Sequence, residues 1–337
     1  MKDIRNYSLA AHNTFGIDAM CRRFIEFDSV DDLQHALQLL GNEDMPLLVL
    51  GGGSNLLLTS DYDGTVLHSA IKGCVAKPVP GGVLLRCGSG ETWDDVVDLC
   101  VKQGWYGAEN LSLIPGEVGA SAVQNIGAYG AEVKDIIYKV EAVEISTGKL
   151  YEFSNADCRY SYRYSRFKAD WRNRFIITYV TYRLSDEFVP HIDYGNIRSE
   201  LDRRGIQNPT ARQLRDAITD IRNAKLPDPK VEGNAGSFFM NPVVSREKYE
   251  QLAAVYPGMP HYTVDDEHEK IPAGWMIDMC GWKGKTLGKA GVHARQALVL
   301  VNRGGATGND VVALCGAIRK DVKDKFGIEI HPEVNIV

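Results

Sequence analysis

The chain has no Cys-x-x-Cys pair. Its seven cysteines, Cys21, Cys74, Cys87, Cys100, Cys158, Cys280 and Cys315, are scattered and odd in number, a usage that favours reduced thiols over a disulfide framework or a zinc site. No apolar run approaches the ~20 residues of a membrane-spanning helix. The opening Met1-Lys2-Asp3-Ile4-Arg5-Asn6-Tyr7 is charged and lacks the apolar core of a secretory signal. The expected location is therefore cytoplasmic, with no membrane partner. Positive charge is also short: 38 Lys and Arg against 44 Asp and Glu give a net charge of -6, which argues against a non-specific nucleic-acid binder.

Several chemical signatures are missing as well. The histidines show no metal-ligand spacing, so no metal site is expected. No Ser-His-Asp or nucleophile-elbow pattern is present, which argues against hydrolase chemistry. No G-x-G-x-x-G fingerprint occurs, and in Gly284-Lys285-Thr286 the first glycine of a P-loop would fall at Met279, leaving a surface turn. No internal repeat or low-complexity segment is seen.

What is present is an ordinary globular composition, 44% hydrophobic and 24% charged over 337 residues, long enough for two or three domains. Ser29-Val30-Asp31-Asp32 reads as the cap of an amphipathic helix carrying Leu33, Ala36, Leu37 and Leu40. Leu47-Leu48-Val49-Leu50 reads as a buried strand entering Gly51-Gly52-Gly53-Ser54-Asn55. Residues 83–87 predict another strand, and Thr92-Trp93-Asp94-Asp95 the cap of a helix ending near Gly104. Strand and helix thus alternate through the first hundred residues. Residues 140–146 and 150–153 flank Thr147-Gly148-Lys149 as a hairpin, and 175–184 form a long β-branched and aromatic strand. A helix over 210–224 stops at Leu226-Pro227-Asp228-Pro229, a domain boundary. Helices near 245–255 and 273–279, a strand over 298–301, a helix over 310–326 ended by Gly327, and a last strand beginning at 328–330 complete the reading.

Three segments carry chemistry. Gly51-Gly52-Gly53-Ser54-Asn55-Leu56 follows a strand, so its amides suit a phosphate; a tight turn explains it equally well. Residues 113–130 hold four glycines, three alanines and a serine, which favours close backbone approach of an extended cofactor over a small-residue helix contact. Two such loops suggest a ligand with a pyrophosphate. In Gly233-Asn234-Ala235-Gly236-Ser237-Phe238-Phe239-Met240-Asn241-Pro242 one hydroxyl stands between a pliable run and two bulky rings. Ser237 there can be a nucleophile, a proton donor or a turn residue. Arg159, Arg163 and Arg166 among Tyr160, Tyr162 and Tyr164 read first as solvated arginines over aromatics, with an anion clamp as the sharper alternative.

Taken in order, Asn13-Thr14-Phe15-Gly16, residues 51–56, residues 114–130, Tyr162-Arg163, Lys225-Leu226-Pro227-Asp228-Pro229-Lys230, residues 233–242, His293-Ala294-Arg295-Gln296-Ala297-Leu298-Val299 and Glu333 resemble the UDP-N-acetylenolpyruvoylglucosamine reductases of bacterial peptidoglycan synthesis. His191-Ile192-Asp193-Tyr194-Gly195-Asn196 resembles the tyrosine loop of their longer branch. The resemblance implies an α+β fold: an FAD-binding unit of the vanillyl-alcohol-oxidase (PCMH) type made of two subdomains, 1–70 joined by 328–337 and 71–224, plus a substrate-binding domain, 225–327. It implies FAD as cofactor, NADPH as co-substrate and UDP-N-acetylglucosamine enolpyruvate as substrate, in a protein expected to be monomeric. Arg163, Ser237 and Glu333 match catalytic positions, with Ser237 as proton donor to C2. The implied FAD contacts are Gly51, Gly52, Gly53, Ser54, Asn55 and Leu56, then Pro115, Gly116, Gly119, Ala120, Gln124, Asn125, Gly127, Ala128, Tyr129 and Gly130, and finally Arg222. Tyr194, Lys225, Asn241 and Gln296 match positions that bind the UDP portion. Where relatives commonly carry a basic residue just past Pro-Glu-Val, this chain has Asn335 and then stops at Val337.

Overall fold

The computed structural model describes all 337 residues, Met1–Val337. The chain divides into two compact units. One consists of Met1–Tyr7, Cys21–Gly52 and Asp63–Ala224; the other of Ser8–Met20, Gly53–Tyr62 and Lys225–Val337.

In the first unit the strands Lys2–Ser8, Met20–Phe27, Tyr62–Ser69 and Leu47–Leu50 lie side by side in that order, the last two parallel with Leu50 opposite His68. The helix Val30–Leu39 is capped by Ser29, whose hydroxyl accepts from the Asp32 amide at 3.1 Å. It buries Leu33 and Ala36 against Ile25, Phe27 and Leu67, and the same cluster takes in Val143 and Ile176 of the second sheet. Burying one such leucine is worth roughly 1.5–3 kcal/mol, so this seam holds the two sheets together.

That second sheet is antiparallel, with Leu150–Ser154, Ile137–Glu144, Phe175–Ser185, Gly82–Gly88 and Cys74–Val79 in order. The β-branched run 175–185 occupies its centre and is buried along most of its length. The helix Trp93–Gln103 lays Trp93, Val96, Val97 and Cys100 on this sheet. The Trp93 ring meets Tyr182 edge-on at 5.5 Å and spends its indole N–H on the Leu111 carbonyl at 2.9 Å, so the ring is buried with its one donor satisfied. The helix ends where Gly104 turns to φ 72. Its start differs from the sequence reading. The Thr92 side chain makes no capping bond; the Trp93 amide donates instead to the Gly116 carbonyl at 3.0 Å, because Thr92 is tied by a backbone bridge to Glu117.

In the second unit, Asn234–Ser237, Val299–Asn302, Ala290–Val292 and Thr286–Leu287 form one sheet, and Val243–Ser245, His268–Lys270 and Tyr262–Thr263 another. The helix Gly308–Phe326 opens with a capping box between Thr307 and Asp310, closes at Gly327 with φ 65, and buries Val311, Leu314, Ile318 and Val322. The strand expected at 328–330 is absent. Ile328 and Ile330 are buried, but the Ile330 carbonyl accepts from the Arg319 guanidinium at 2.9 Å rather than from a neighbouring strand. The last strand is Asn335–Ile336, parallel to Leu56–Leu57.

No helix is long and apolar enough to cross a membrane, and no group of three or more His, Cys, Asp or Glu could hold a metal ion. All seven cysteines are free.

Candidate functional site

The first unit brings the two glycine-rich segments together. The strand Leu47–Leu50 delivers Gly51 and Gly52 onto residues 116–120. A Cβ on Gly51 would stand 3.1 Å from the Ala120 Cβ and 3.4 Å from Glu117 Oε2; one on Gly52 would stand 3.4 Å from the Gly116 Cα. A side chain at Gly51 would press on the Ala120 methyl, while one at Gly52 would meet Gly116 at ordinary contact distance. Residues 118–124 are helical, and part of the small-residue run serves that helix. Gly119 packs on Ser89, whose Cβ lies 2.9 Å from where a Gly119 Cβ would be. The amides of Val118 and Gly119 donate to Glu91 and Ser89 carbonyls at 2.9 and 2.8 Å. The helix-contact explanation therefore holds at Gly119, and at Gly51 and Gly52 the neighbours are residues 116–120 of the chain itself.

Beyond this helix the chain is held in an unusual course. Asn125 and Tyr129 take φ 46 and 51, and Gly130 takes φ 81. Asn125 is buried and its side chain is committed inward: it donates to the Ser161 carbonyl at 2.8 Å and to Glu132 at 3.1 Å, and accepts from the Lys134 amide. Ser161 and Tyr164 close a tight turn by exchanging backbone bonds, with Arg163 near its tip at φ 55. A non-glycine residue held in this region costs free energy that the surroundings must supply. Here Asn125 anchors one side of the turn, and Arg163 Nη2 donates to the Gly127 carbonyl at 3.0 Å. The arginine is thereby aimed along the Gly127–Ala128 strand.

Arg222, on the helix Ala211–Lys225, lies beside the same loop. Burial holds its pKa below the usual arginine range; the neighbouring Tyr129 and Asp94 oppose that shift, and Arg163 adds to it. Its buried Nε has no hydrogen-bond partner. A buried, positively charged donor without an acceptor suits an anionic ligand. At the loop's end the Tyr194 Cβ lies 3.3 Å, and its ring 3.4 Å, from where a Gly130 Cβ would be, and Asn110 ties the Tyr129 and His191 carbonyls together at 2.8 and 2.9 Å.

The second unit assembles Ser237, Glu333, Asn241 and Gln296. Ser237 ends a strand, paired with Val299. Phe238 and Phe239 behind it are fully buried, with Phe238 edge-on to Phe15 at 6.2 Å. The tail returns along this segment: Glu333 donates its amide to the Phe238 carbonyl at 2.8 Å, Met240 donates to His331 at 3.0 Å, and Phe239 bridges Pro332. Glu333 is therefore fixed one residue from Ser237, although 96 positions separate them (333 less 237). Asn55 reaches the Glu333 carbonyl at 3.4 Å, and Asn335 bonds back to the Asn55 carbonyl at 3.1 Å. Asn241 Oδ1 accepts the first amide of the helix Ala273–Met279 at 2.9 Å, and Gln296 Oε1 lies 3.4 Å from where a Cβ on Gly274 would be. One helical turn thus gathers two amides that the sequence holds far apart. Lys225 is exposed. Gly53 is packed by the chain itself, its Cβ position 1.9 Å from the His12 carbonyl oxygen.

The sequence reading gave no role to Asn110, or to His68 with Glu26 and Glu117. Only Glu117 lies in a recognised segment, and the partners of His68 and Asn110 come from 19 to 81 positions away.

Residues 228–337 match the family model described as the C-terminal domain of UDP-N-acetylenolpyruvoylglucosamine reductase, and residues 22–154 match the one described as an FAD binding domain. The α+β fold with an FAD-binding unit is thus the one found. Proteins named UDP-N-acetylenolpyruvoylglucosamine reductase from Bacteroides fragilis, Porphyromonas gingivalis and Burkholderia multivorans are 55%, 47% and 47% identical. The matches cover 99%, 99% and 97% of this chain and 99%, 99% and 95% of theirs. The crystal structure of the Thermus caldophilus protein of that name shares the fold, with a TM-score of 0.67 at 21% identity, covering 99% of this chain and 98% of that one.

Proposed function

The chain belongs to the UDP-N-acetylenolpyruvoylglucosamine reductase family, and from that premise we propose that it is an NADPH-dependent flavoenzyme reducing UDP-N-acetylglucosamine enolpyruvate to UDP-N-acetylmuramate. The observation that supports the reading is the return of the tail onto the Ser237 segment, where the Glu333 amide donates to the Phe238 carbonyl and brings the two residues onto neighbouring backbone against two buried rings.

When bound, FAD supplies the hydride carrier between NADPH and the enolpyruvyl carbon. Its pyrophosphate is assigned to the loop of Gly51, Gly52, Gly53, Ser54, Asn55 and Leu56 together with Pro115, Gly116, Gly119 and Ala120. The remaining flavin contacts are assigned to Gln124, Asn125, Gly127, Ala128, Tyr129, Gly130 and Arg222. The partnerless buried Nε of Arg222, beside Tyr129 of the same loop, supports that fit. Tyr194, Lys225, Asn241 and Gln296 are given the UDP portion. The division of labour follows: a flavin-binding pair of subdomains, 1–70 with 328–337 and 71–224, and a substrate domain, 225–327.

Once hydride has reached C3, negative charge builds on C2 and the adjoining carboxylate. Arg163 supplies fixed positive charge there and Glu333 a hydrogen bond, so the charge is stabilised where it develops. Ser237 then gives its hydroxyl proton to C2. Serine is a weak acid in water, and Phe238 and Phe239 provide the water-poor backing under which that transfer is favourable.

The purified protein tests the reading. It should be yellow, or gain a flavin band when incubated with FAD; a colourless protein that never gains one would sink it. Arg163→Lys keeps the charge but loses the planar fork. Its kcat/KM for the enolpyruvyl substrate should fall about tenfold or more, the cost of one lost charge-assisted bond. An unchanged kcat/KM would mean that the guanidinium serves its loop contact with Gly127 and not the substrate.

A further inference from the structure

His68 is placed between two carboxylates of the first unit. It lies on the strand Tyr62–Ser69 and is largely buried. Its Nδ1 is 3.0 Å from Glu26 Oε2 on the strand Met20–Phe27, and its Nε2 is 3.2 Å from Glu117 Oε1 just ahead of the helix Val118–Gln124. Two carboxylates ask for two N–H donors, which only the imidazolium offers. Glu117 is itself a bridge. One oxygen faces His68; the other, Oε2, lies 3.4 Å from the Cβ position of Gly51, under the main chain of the glycine loop. The Glu117 backbone also bridges Thr92, and its neighbour Gly116 accepts the Trp93 amide.

Lys2 stands over the aromatic rings that stack beside this imidazole. It lies 4.8 Å above Tyr7 and 5.5 Å above Phe24, and Phe24 stacks on His68 at 6.0 Å. The ion-pair partners of the two carboxylates at this point are the two nitrogens of the imidazole.

We propose that His68, as an imidazolium, is the positioning residue of the pyrophosphate loop: it locks Glu117 beneath Gly51 and cancels the carboxylate charge that the anionic cofactor would otherwise meet. The inference rests on the assignment of that loop to FAD. Burial lowers the pKa of His68, but the bonds and charges of Glu117 and Glu26 outweigh it and the net direction is upward. The sign follows. The folded pKa stands above the unfolded value, so the protonated, locking form is complete at low pH and is lost as pH rises through the folded pKa. An anion bound above Gly51 pulls in the same direction, so affinity for FAD should weaken over that window.

The experiment is the dissociation constant of FAD from deflavinated protein, followed by flavin fluorescence from about pH 6 to about pH 9. Wild-type affinity should weaken about tenfold across the range. His68→Gln keeps a polar side chain but not the charge. It should bind about tenfold more weakly at the acid end and lose the pH dependence. The double variant His68→Gln, Glu117→Gln removes the uncompensated carboxylate and should recover most of that loss. A flat wild-type profile would overturn the proposal, as would a double variant no better than His68→Gln. If the single variant does not fold, the wild-type profile decides alone. Failure here leaves FAD bound to the wild-type protein, whereas failure of the flavin assignment leaves no binding to titrate at any pH.

Discussion

Ser237→Ala should still have its visible flavin band bleached by NADPH at close to the wild-type rate, while return of the band on adding the enolpyruvyl sugar nucleotide slows ~100-fold to 10,000-fold, the usual worth of one positioned proton-transfer group. The expectation follows from what holds Ser237 in place, which is backbone. Ser237 ends its strand with its backbone paired to Val299, and the alanine variant keeps that pairing and the two buried rings behind it. Only the Oγ and its proton are lost, so the defect should fall on the half-reaction that consumes a proton. Equal slowing of both halves would make the hydroxyl a structural group.

Gly233→Ala should cost about 3 kcal/mol or more of stability, read as a lower urea midpoint at unchanged slope. The added Cβ would stand 2.1 Å from the Phe15 carbonyl oxygen, and neither partner can retreat. Gly233 accepts the Asn302 amide at 2.8 Å, and Asn234 donates to the Thr14 carbonyl at 2.9 Å. The Thr14 hydroxyl bonds the Asn234 carbonyl at 2.5 Å. A control substitution of the same chemistry carries the opposite sign. Gly316 sits within the helix Gly308–Phe326 with nothing within 4 Å of its Cβ position, so Gly316→Ala should stabilise by about 0.5–1 kcal/mol. Equal effects at the two glycines would mean that the contact with Phe15 is not the cause.

Gly233 also shows what a sequence can and cannot disclose. The run Gly233-Asn234-Ala235-Gly236 announces that something passes close to the main chain. It does not say what, and here it is the chain itself, arriving from Phe15. Gly53 repeats the lesson with His12, whereas at Gly51 and Gly52 the neighbours are Ala120, Glu117 and Gly116 of the second glycine-rich segment. Local patterns were legible where one helix or strand decides them: the cap at Ser29, the Gly104 and Gly327 terminators and the 175–185 strand all follow from residues within a few positions. Thr92 and residues 328–330 were misjudged because a distant backbone, Gly116 in one case, and a side chain, Arg319 in the other, took the hydrogen bonds that local rules assign elsewhere. The pairing of the tail with residues 238–240 lies outside local rules altogether, since Pro-Glu-Val at a chain end carries no periodicity to mark its partner.

Transfer of electrons from the flavin to the enolpyruvyl sugar nucleotide is the central step, and one anaerobic mixing experiment tests it. The protein, loaded with FAD and bleached by NADPH without oxygen, is mixed with UDP-N-acetylglucosamine enolpyruvate. The flavin band should return as the substrate is reduced to UDP-N-acetylmuramate. A band that stays bleached until air is admitted would contradict the account and describe an oxidase of another substrate.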